Sequence, residues 1–165
     1  MNKRMGGSIF LLVICLMTAI LCCSCEKKSG GTIEEPDITA EYLTGEYANQ
    51  LTTDGAEIVT GVISLEKKGD AYVIHIVEKK VIPNSDYDEG YYIADTNVEQ
   101  DVTLGTNARI VGTIDGEPAV LTTDKLLELN AKNADQLYTL YLMGNSAELV
   151  LAADAAQLAG NAENK

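Results

Sequence analysis

The sequence predicts a small, mainly β domain with a minor helical part. Three observations lead to this prediction. Short runs of alternating apolar and polar residues follow one another between residues 56 and 121, and again between 137 and 151. Residues typical of turns separate these runs, and a helical period is found only in front of them and before the last pair. Many short strands with few helices are typical of a β-barrel or β-sandwich.

The domain begins with a predicted helix over residues 38–53. Its apolar side chains fall on one side of a helix: Tyr42, Leu43, Tyr47 and Leu51. Asp37 is placed to cap the first turn. Gly45 lies in the middle and lowers the helical propensity of the segment, so a strand is the alternative.

Six to eight short strands are expected after this helix. The runs 57–65 and 71–77 are rich in β-branched residues, and Lys68-Gly69-Asp70 between them is a hairpin signal. The second run continues to Ile82, where Pro83 begins a turn, and a further turn is expected at 95–97. The remaining strand segments are 90–93, 101–104, 108–112, 119–121, 137–142 and 147–151.

A second helix is predicted between the last strands. Thr122 or Thr123 offers an N-cap, Asp124 suits the positive end of the helix dipole, and the leucine-rich stretch 126–129 follows. Antiparallel strands joined by short turns, with this helix over one end, predict a small antiparallel β-barrel or half-barrel. An OB-like barrel, a lipocalin-like meander and a sheet-plus-helix sandwich all fit this order of elements.

The first 25 residues have the three-part order of an export signal. Lys3 and Arg4 give a positive start, and residues 9–21 form an apolar run too short to span a bilayer comfortably. The segment Leu21-Cys22-Cys23-Ser24-Cys25 then resembles the lipobox of bacterial lipoproteins, with the small residue Ser24 directly before Cys25. Cys22 departs from the family pattern, which usually has leucine at that place.

This resemblance implies that residues 1–24 are a lipoprotein signal peptide. It also implies that Cys25 becomes the N-terminus and carries diacylglycerol and fatty acyl chains, which anchor the protein on the extracytoplasmic side of a membrane. An ordinary secretory signal or an uncleaved anchor is the alternative. The expected organisation is then a flexible tether over 25–37, one β-rich domain over 38–152 and a C-terminal tail over 153–165, either a frayed helix or disordered.

Composition narrows the chemistry of the mature domain. All four cysteines lie at or before the expected cleavage site: Cys15, Cys22, Cys23 and Cys25. The folded part is therefore expected to lack disulfides, cysteine nucleophiles and cysteine metal sites. The net charge of −13 becomes −15 when Lys3 and Arg4 leave with the signal, and so acidic a chain repels nucleic-acid phosphates. Nucleic acid is not an expected partner, and no cofactor is expected beyond the lipid on Cys25.

Residues 56–152 also resemble a group of known domains. The resemblance lies in the order of the strand and helix segments. These are Gly61-Val62-Ile63, Tyr72-Val73-Ile74, residues 90–97, the Leu126-Leu127 helix and the last hairpin. It resembles small secreted or lipid-anchored bacterial β-domains of uncharacterised function. The resemblance implies a fold and an envelope address, and it implies no activity.

His75, the only histidine, alternates with Val73 and Val77 on one strand face. A catalytic base needs a neighbouring nucleophile or an orienting carboxylate, and no motif in the sequence supplies one. We therefore interpret His75 as a strand residue with a satisfied hydrogen bond, and the sequence predicts no catalytic residue.

The acidic segment 84–90 is a candidate calcium loop. Calcium takes oxygen ligands at alternating positions, and the candidates here are Asn84, Asp86, Asp88 and Asp95. The fit is incomplete because Gly90 comes one position late and Asp95 stands where the pattern has glutamate. A solvated acidic turn in front of a strand is the alternative.

Tyr91 and Tyr92 follow this turn, so one ring is expected to face inward and the other outward, where it could contact a partner.

Together these features predict a non-enzymatic binding or adaptor module of the cell envelope, whose partner is an envelope protein or a small ligand. The alternatives are a carboxylate-based hydrolase using Asp86, Asp88 or Glu89, and a purely structural envelope lipoprotein.

Overall fold

The structure, a computed structural model, describes residues 38–163. Helix α1 consists of Ala40–Tyr42, a π-helical turn at Leu43–Tyr47, and Ala48–Thr53. The strands are β1 (Glu57–Lys68), β2 (Ala71–Pro83), β3 (Tyr91–Ile114), β4 (Glu117–Val120), β5 (Leu137–Met143) and β6 (Ser146–Ala152). The later helices are α2 (Thr123–Lys132) and α3 (Ala155–Glu163). The prediction of a mainly β fold is confirmed.

The six strands form one sheet in the order β2-β1-β5-β6-β3-β4, and β2 pairs in addition with β3. Five strands are thereby joined in a closed ring, while the short strand β4 lies outside it. All pairs are antiparallel except β3 with β6. The prediction of a wholly antiparallel sheet is wrong for that pair, because β4, α2 and β5 together provide the long connection that a parallel pair requires.

Strand β3 is much longer than expected, since one strand runs from Tyr91 to Ile114 where the sequence predicts three short ones. The turn expected at 95–97 is a bulge. Three residues, Thr96, Asn97 and Val98, lie opposite Glu78 alone, and Asn97 has φ +58°. The hydroxyl of Thr96 donates to the carbonyl oxygen of Glu78 at 3.1 Å and holds the bulge in place.

The main hydrophobic core fills the inside of the ring. Its most completely buried side chains come from β2, β3, β5 and β6: Ile74, Ile76, Val102, Leu140, Leu142 and Val150. Burying one such side chain contributes about 1.5–3 kcal/mol relative to leaving it in water. The ring is therefore the principal source of stability.

Helix α2 adds Leu126 to this core, where the side chain is fully buried. Of the two caps that the sequence offers, Thr122 is the one used, since its hydroxyl oxygen accepts from the N–H of Lys125 at 3.2 Å. On the exposed side, Lys125 and Lys132 donate to the Glu128 carboxylate at 2.8 and 2.6 Å, and these bonds lower the pKa of Glu128 to about 2.

Helix α1 packs on the outside of the ring, as the apolar side predicted for it requires. A second hydrophobic cluster forms there from Leu43, Ala48 and Leu51 of the helix with Val111 and Leu149 of the sheet. Thr39 caps the helix, because its hydroxyl oxygen accepts from the N–H of Tyr42 at 3.1 Å. The expected cap, Asp37, lies outside the described residues.

Beyond the ring, β2 and β3 continue as a two-stranded ribbon. Pairing of β1 with β2 ends at Gly61 opposite Glu78, and pairing of β3 with β6 begins at Thr103. Among the described residues, the segments 79–83 and 91–95 therefore pair only with each other. We call these segments and the turn 84–90 the ribbon. Gly61 lies where it leaves the ring, and a Cβ there would sit 2.3 Å from the carbonyl oxygen of Val77.

The C-terminal segment, for which the sequence left a frayed helix and disorder open, contains helix α3. Asp154 caps it, since its carboxylate accepts from the N–H groups of Ala156 and Gln157 at 2.7 and 3.2 Å. The helix packs against β2, and Ala159 is buried. Within residues 38–163, no helix has the length and apolar character needed to cross a membrane.

Candidate functional site

A compact turn closes the end of the ribbon. The N–H of Asn84 donates to the carbonyl oxygen of Gly90 at 2.8 Å, and the N–H of Gly90 donates to the carbonyl oxygen of Tyr87 at 2.9 Å. The side-chain oxygen of Asn84 accepts from the N–H of Asp86 at 2.9 Å. Gly90 has φ +78°, a backbone region that favours glycine. The turn is thus defined by its own hydrogen bonds.

Tyrosine side chains are presented at this end of the ribbon. Tyr87 and Tyr92 stack with their ring centroids 5.3 Å apart, and Tyr87 is still 52% exposed. Tyr91 points to the opposite face from Tyr92. Desolvation, and then the negative charges of Glu89 and Asp154, raise the pKa of the Tyr91 hydroxyl. Sequence reasoning selected Tyr91 and Tyr92 but missed Tyr87, because the stack depends on how the turn folds.

Two large aliphatic side chains of β3 are exposed in the same hairpin, and Ile93 lies on the face of Tyr91, opposite the Tyr87–Tyr92 stack. Ile93 is 48% exposed and pairs with Val81 across the ribbon, and Val98 in the bulge is 45% exposed. Single exposed aliphatic residues are common on protein surfaces. Here, however, both lie on the same hairpin as the exposed Tyr87.

Two of the four candidate calcium ligands are engaged in other contacts. The side chain of Asn84 closes the turn, and Asp95 forms an ion pair with Lys79 across the ribbon. Asp86 and Asp88 are exposed on the turn. Within the described part of the chain, no group of three or more histidine, cysteine, aspartate or glutamate residues is arranged to hold a metal ion.

His75 lies on the outer face of the ring, and a carboxylate that sequence reasoning missed orients it. Its Nδ1 is 2.8 Å from Oδ1 of Asp101, the residue opposite it on β3. Its Nε2 is 3.8 Å from the Glu99 carboxylate. Pairing of the two strands on either side of the 84–90 turn could have brought an acidic residue of 99–101 to His75, but the bulge in β3 decides that it is Asp101.

Ser64 lies opposite His75 on β1, so that Ser64, His75 and Asp101 form a row across three strands. They line a shallow depression of about 270 Å³. Within residues 38–163 the Ser64 hydroxyl forms no hydrogen bond with His75, and the backbone of these strands is paired within the sheet. A serine nucleophile needs both that bond and backbone N–H groups directed at the substrate oxygen. The row therefore lacks the geometry of a catalytic triad.

A groove crosses the outer surface of the ring between α1 and α3, with a volume of about 610 Å³. Its floor includes Thr60 and Thr139, whose hydroxyl oxygens are 3.2 Å apart. Thr44 of α1 lines one side, and Gln157 and Asn161 of α3 line the other. A second depression of about 550 Å³ also contacts Thr44 and Gln157 and continues toward β3 and β4.

The described residues thus offer two kinds of surface: a protruding ribbon with exposed aromatic and aliphatic side chains, and a recessed groove between two helices. The ribbon suits contact with a concave partner, and the groove suits enclosure of a smaller molecule. No protein-family model, curated protein or solved structure matches this chain.

Proposed function

We propose that the protein is a lipid-anchored, non-enzymatic binding module of the bacterial cell envelope, and that the end of its ribbon docks a protein partner. The observation that carries the proposal is the ribbon itself. It extends two strands beyond the closed ring and exposes Tyr87 in its turn and Ile93 on β3. Aromatic and large apolar side chains are the residues that most often form the centre of a protein interface.

The chemistry of the ribbon indicates what kind of partner it fits. Asp86, Asp88 and Glu89 are exposed on the turn beside the Tyr87–Tyr92 stack. A protruding apolar element inside an acidic rim is complementary to a basic rim around an apolar pocket. A small ligand would instead need a concave site, which the end of a ribbon does not provide. The favoured partner is therefore an envelope protein.

The envelope address rests on the N-terminal sequence, which lies outside the described residues. The positive start, the apolar run and Leu21-Cys22-Cys23-Ser24-Cys25 support cleavage before Cys25 and lipidation of its thiol. Two or three acyl chains hold a protein durably at a membrane, because each buried methylene contributes about 0.8 kcal/mol.

Among the barrel types considered, we propose the OB-like one. An up-and-down lipocalin barrel has eight strands, each beside its neighbours in sequence. Here the ring has five strands, β3 and β6 are neighbours in parallel orientation, and α2 precedes the last hairpin. Five strands in a Greek-key order support the OB-like type.

The hydrolase alternative gains no support from the geometry. It requires two carboxylates that face each other across a concave pocket. Asp86, Asp88 and Glu89 are all exposed on the short turn that closes the ribbon. Their arrangement suits docking rather than acid–base catalysis.

The test is crosslinking in intact cells of the source organism, followed by pull-down through a C-terminal tag. Four chains are compared: the native one, Tyr87→Ser with Ile93→Thr on the ribbon, Ile114→Thr with Val120→Thr, and Cys25→Ala. Ile114 and Val120 are 37% and 43% exposed and lie off the ribbon, which makes them a matched control. We expect one dominant envelope protein with the native and control chains, and at least a tenfold loss with the ribbon variant.

Cys25→Ala is expected to move the chain out of the membrane fraction. Equal recovery of the partner with the ribbon variant would show that docking occurs elsewhere. A Cys25→Ala chain that stays in the membrane fraction would contradict the lipid anchor, independently of the docking result.

A further inference from the structure

The groove between α1 and α3 is almost free of charge, although the chain as a whole carries −13. Of its thirteen lining residues, only Asp154 is charged. The carboxylate of Asp154 already accepts hydrogen bonds from the N–H groups of Ala156 and Gln157. An anionic ligand would find no opposite charge here, and the single carboxylate is already engaged by the first turn of α3. The groove is therefore suited to an uncharged ligand.

Polar groups line both the floor and one wall of this groove. Gln157 and Asn161 are four residues apart on α3, so their side chains lie on the same face of the helix. Neither side-chain amide has a hydrogen-bond partner within residues 38–163. On the floor, the Thr60 and Thr139 hydroxyls bond to each other at 3.2 Å, and each keeps further accepting capacity. Donors and acceptors thus face the interior from two directions.

Apolar surfaces alternate with these polar groups. Ile58 is 48% exposed on the floor, and Leu158 lies between Gln157 and Asn161 in the chain. Tyr141 adds an aromatic ring, and burial raises the pKa of its hydroxyl. A sugar ring has the same alternation, with hydroxyl groups at its edge and C–H groups on its faces. Amphipathic aromatic side chains are well suited to such a surface.

An extended peptide is the competing occupant of this groove. Peptides commonly bind by adding a strand to a free sheet edge. In the floor, β5 and β6 pair with a neighbour on both sides, but β1 pairs with β2 only from Gly61 onward, so among the described residues Ile58 and Thr60 pair with β5 alone. Binding of an uncharged peptide is therefore the outcome that competes with a sugar. An acyl chain is a poor match, because it would leave the amides of Gln157 and Asn161 without partners.

We propose that this groove binds a short neutral oligosaccharide, with Gln157 and Asn161 as hydrogen-bond partners of its hydroxyl groups and Tyr141 and Ile58 as its apolar contacts. The volume of about 610 Å³ falls within the roughly 300–1,000 Å³ of small-ligand sites. This assignment goes beyond protein docking by the ribbon and does not depend on it, since none of the four residues belongs to the ribbon.

The test is isothermal titration calorimetry on the purified full chain. The probes are hexasaccharides of glucose, mannose, xylose and N-acetylglucosamine, with hexagalacturonate as an anionic sugar and an uncharged alanine–threonine peptide. We expect at least one neutral hexasaccharide to bind with a Kd in the micromolar to low millimolar range. The double variant Gln157→Ala with Asn161→Ala should weaken that binding about tenfold or more, since two hydrogen bonds are lost.

Asn49→Ala with Asn107→Ala is the matched control, because both amides are exposed and neither lines the groove. It should bind like the native chain, and equal unfolding temperatures would show that all variants are folded. Lack of binding by all four neutral sugars would overturn the proposal. So would stronger binding of hexagalacturonate or of the peptide, or unchanged affinity in the Gln157/Asn161 variant.

Discussion

The closed ring and the ribbon are built from the same two strands, β2 and β3, but those strands are stabilised differently in the two regions. In the ring each strand is paired on both sides, and Ile74 and Ile76 are fully buried. In the ribbon each strand is paired on one side, and Ile93 is 48% exposed. A two-stranded hairpin alone is at best marginally stable in water, so support from outside the hairpin is expected, and α3 packs against β2. One pair of strands thus supplies packing in one half and an accessible surface in the other.

The largest expected difference between the two regions is the effect of removing an aliphatic side chain. Leu140→Ala leaves a cavity in the core of the ring, where Leu140 is fully buried, and should lower the free energy of unfolding by about 2–5 kcal/mol. Ile93→Ala on the ribbon should change it by no more than about 0.5 kcal/mol. Urea unfolding of both variants measures this. Similar losses would mean that the ribbon contributes to stability as much as the ring does.

The next effect concerns the point where the ribbon leaves the ring. In Gly61→Ala the new Cβ would meet the backbone of Val77, which cannot move aside as a flexible side chain can. We expect a loss of about 1–3 kcal/mol in the free energy of unfolding. Gly45→Ala is the control: a Cβ there meets nothing within 4 Å, and alanine favours a helix by about 0.5–1 kcal/mol over glycine. In urea unfolding, Gly61→Ala should lower the free energy of unfolding and Gly45→Ala should raise it. A Gly61→Ala chain as stable as the native one would show that β1 and β2 can separate at no cost.

The smallest effect tests whether α3 supports the ribbon. Asp154→Ala removes the cap of α3 and Thr122→Ala removes the cap of α2, and each should cost about 1 kcal/mol. Because α3 packs against β2, only Asp154→Ala should accelerate amide hydrogen exchange in the ribbon. Exchange measured by NMR distinguishes the two variants. If Thr122→Ala accelerated amide exchange in the ribbon equally, the ribbon would be stabilised by the ring and not by α3.

Much of the fold follows from local patterns in the sequence. The alternating runs predict the strands, and Thr122 followed by a leucine-rich stretch predicts helix α2 and its cap. The closure of the ring does not follow from such patterns, since it depends on pairing between β3 and β6. Asn97 misled the prediction because a residue that favours turns also suits the left-handed position of a bulge.

The neighbour of His75 shows why the site was harder to predict than the fold. Counting outward from the ribbon turn, where Pro83 is opposite Tyr91, would place Glu99 opposite His75. The bulge inserts two extra residues on β3 and brings Asp101 there instead. No periodicity reveals such an insertion. The groove could not be predicted from the sequence either, because its lining comes from elements that are distant in sequence: α1, β1, β5, β6 and α3.

The pairing of β1 with β5 has a consequence for how the chain reaches its native state. Thr60 and Thr139, which face each other across that pair, are 79 residues apart in sequence. Contacts of such long range slow folding, because most of the chain has to be ordered before they form. The ring closes only when β6, the last strand of the described residues, inserts between β5 and β3. Until then both strands have an open edge on which another chain could add, so aggregation is favoured until β6 has been made and inserted.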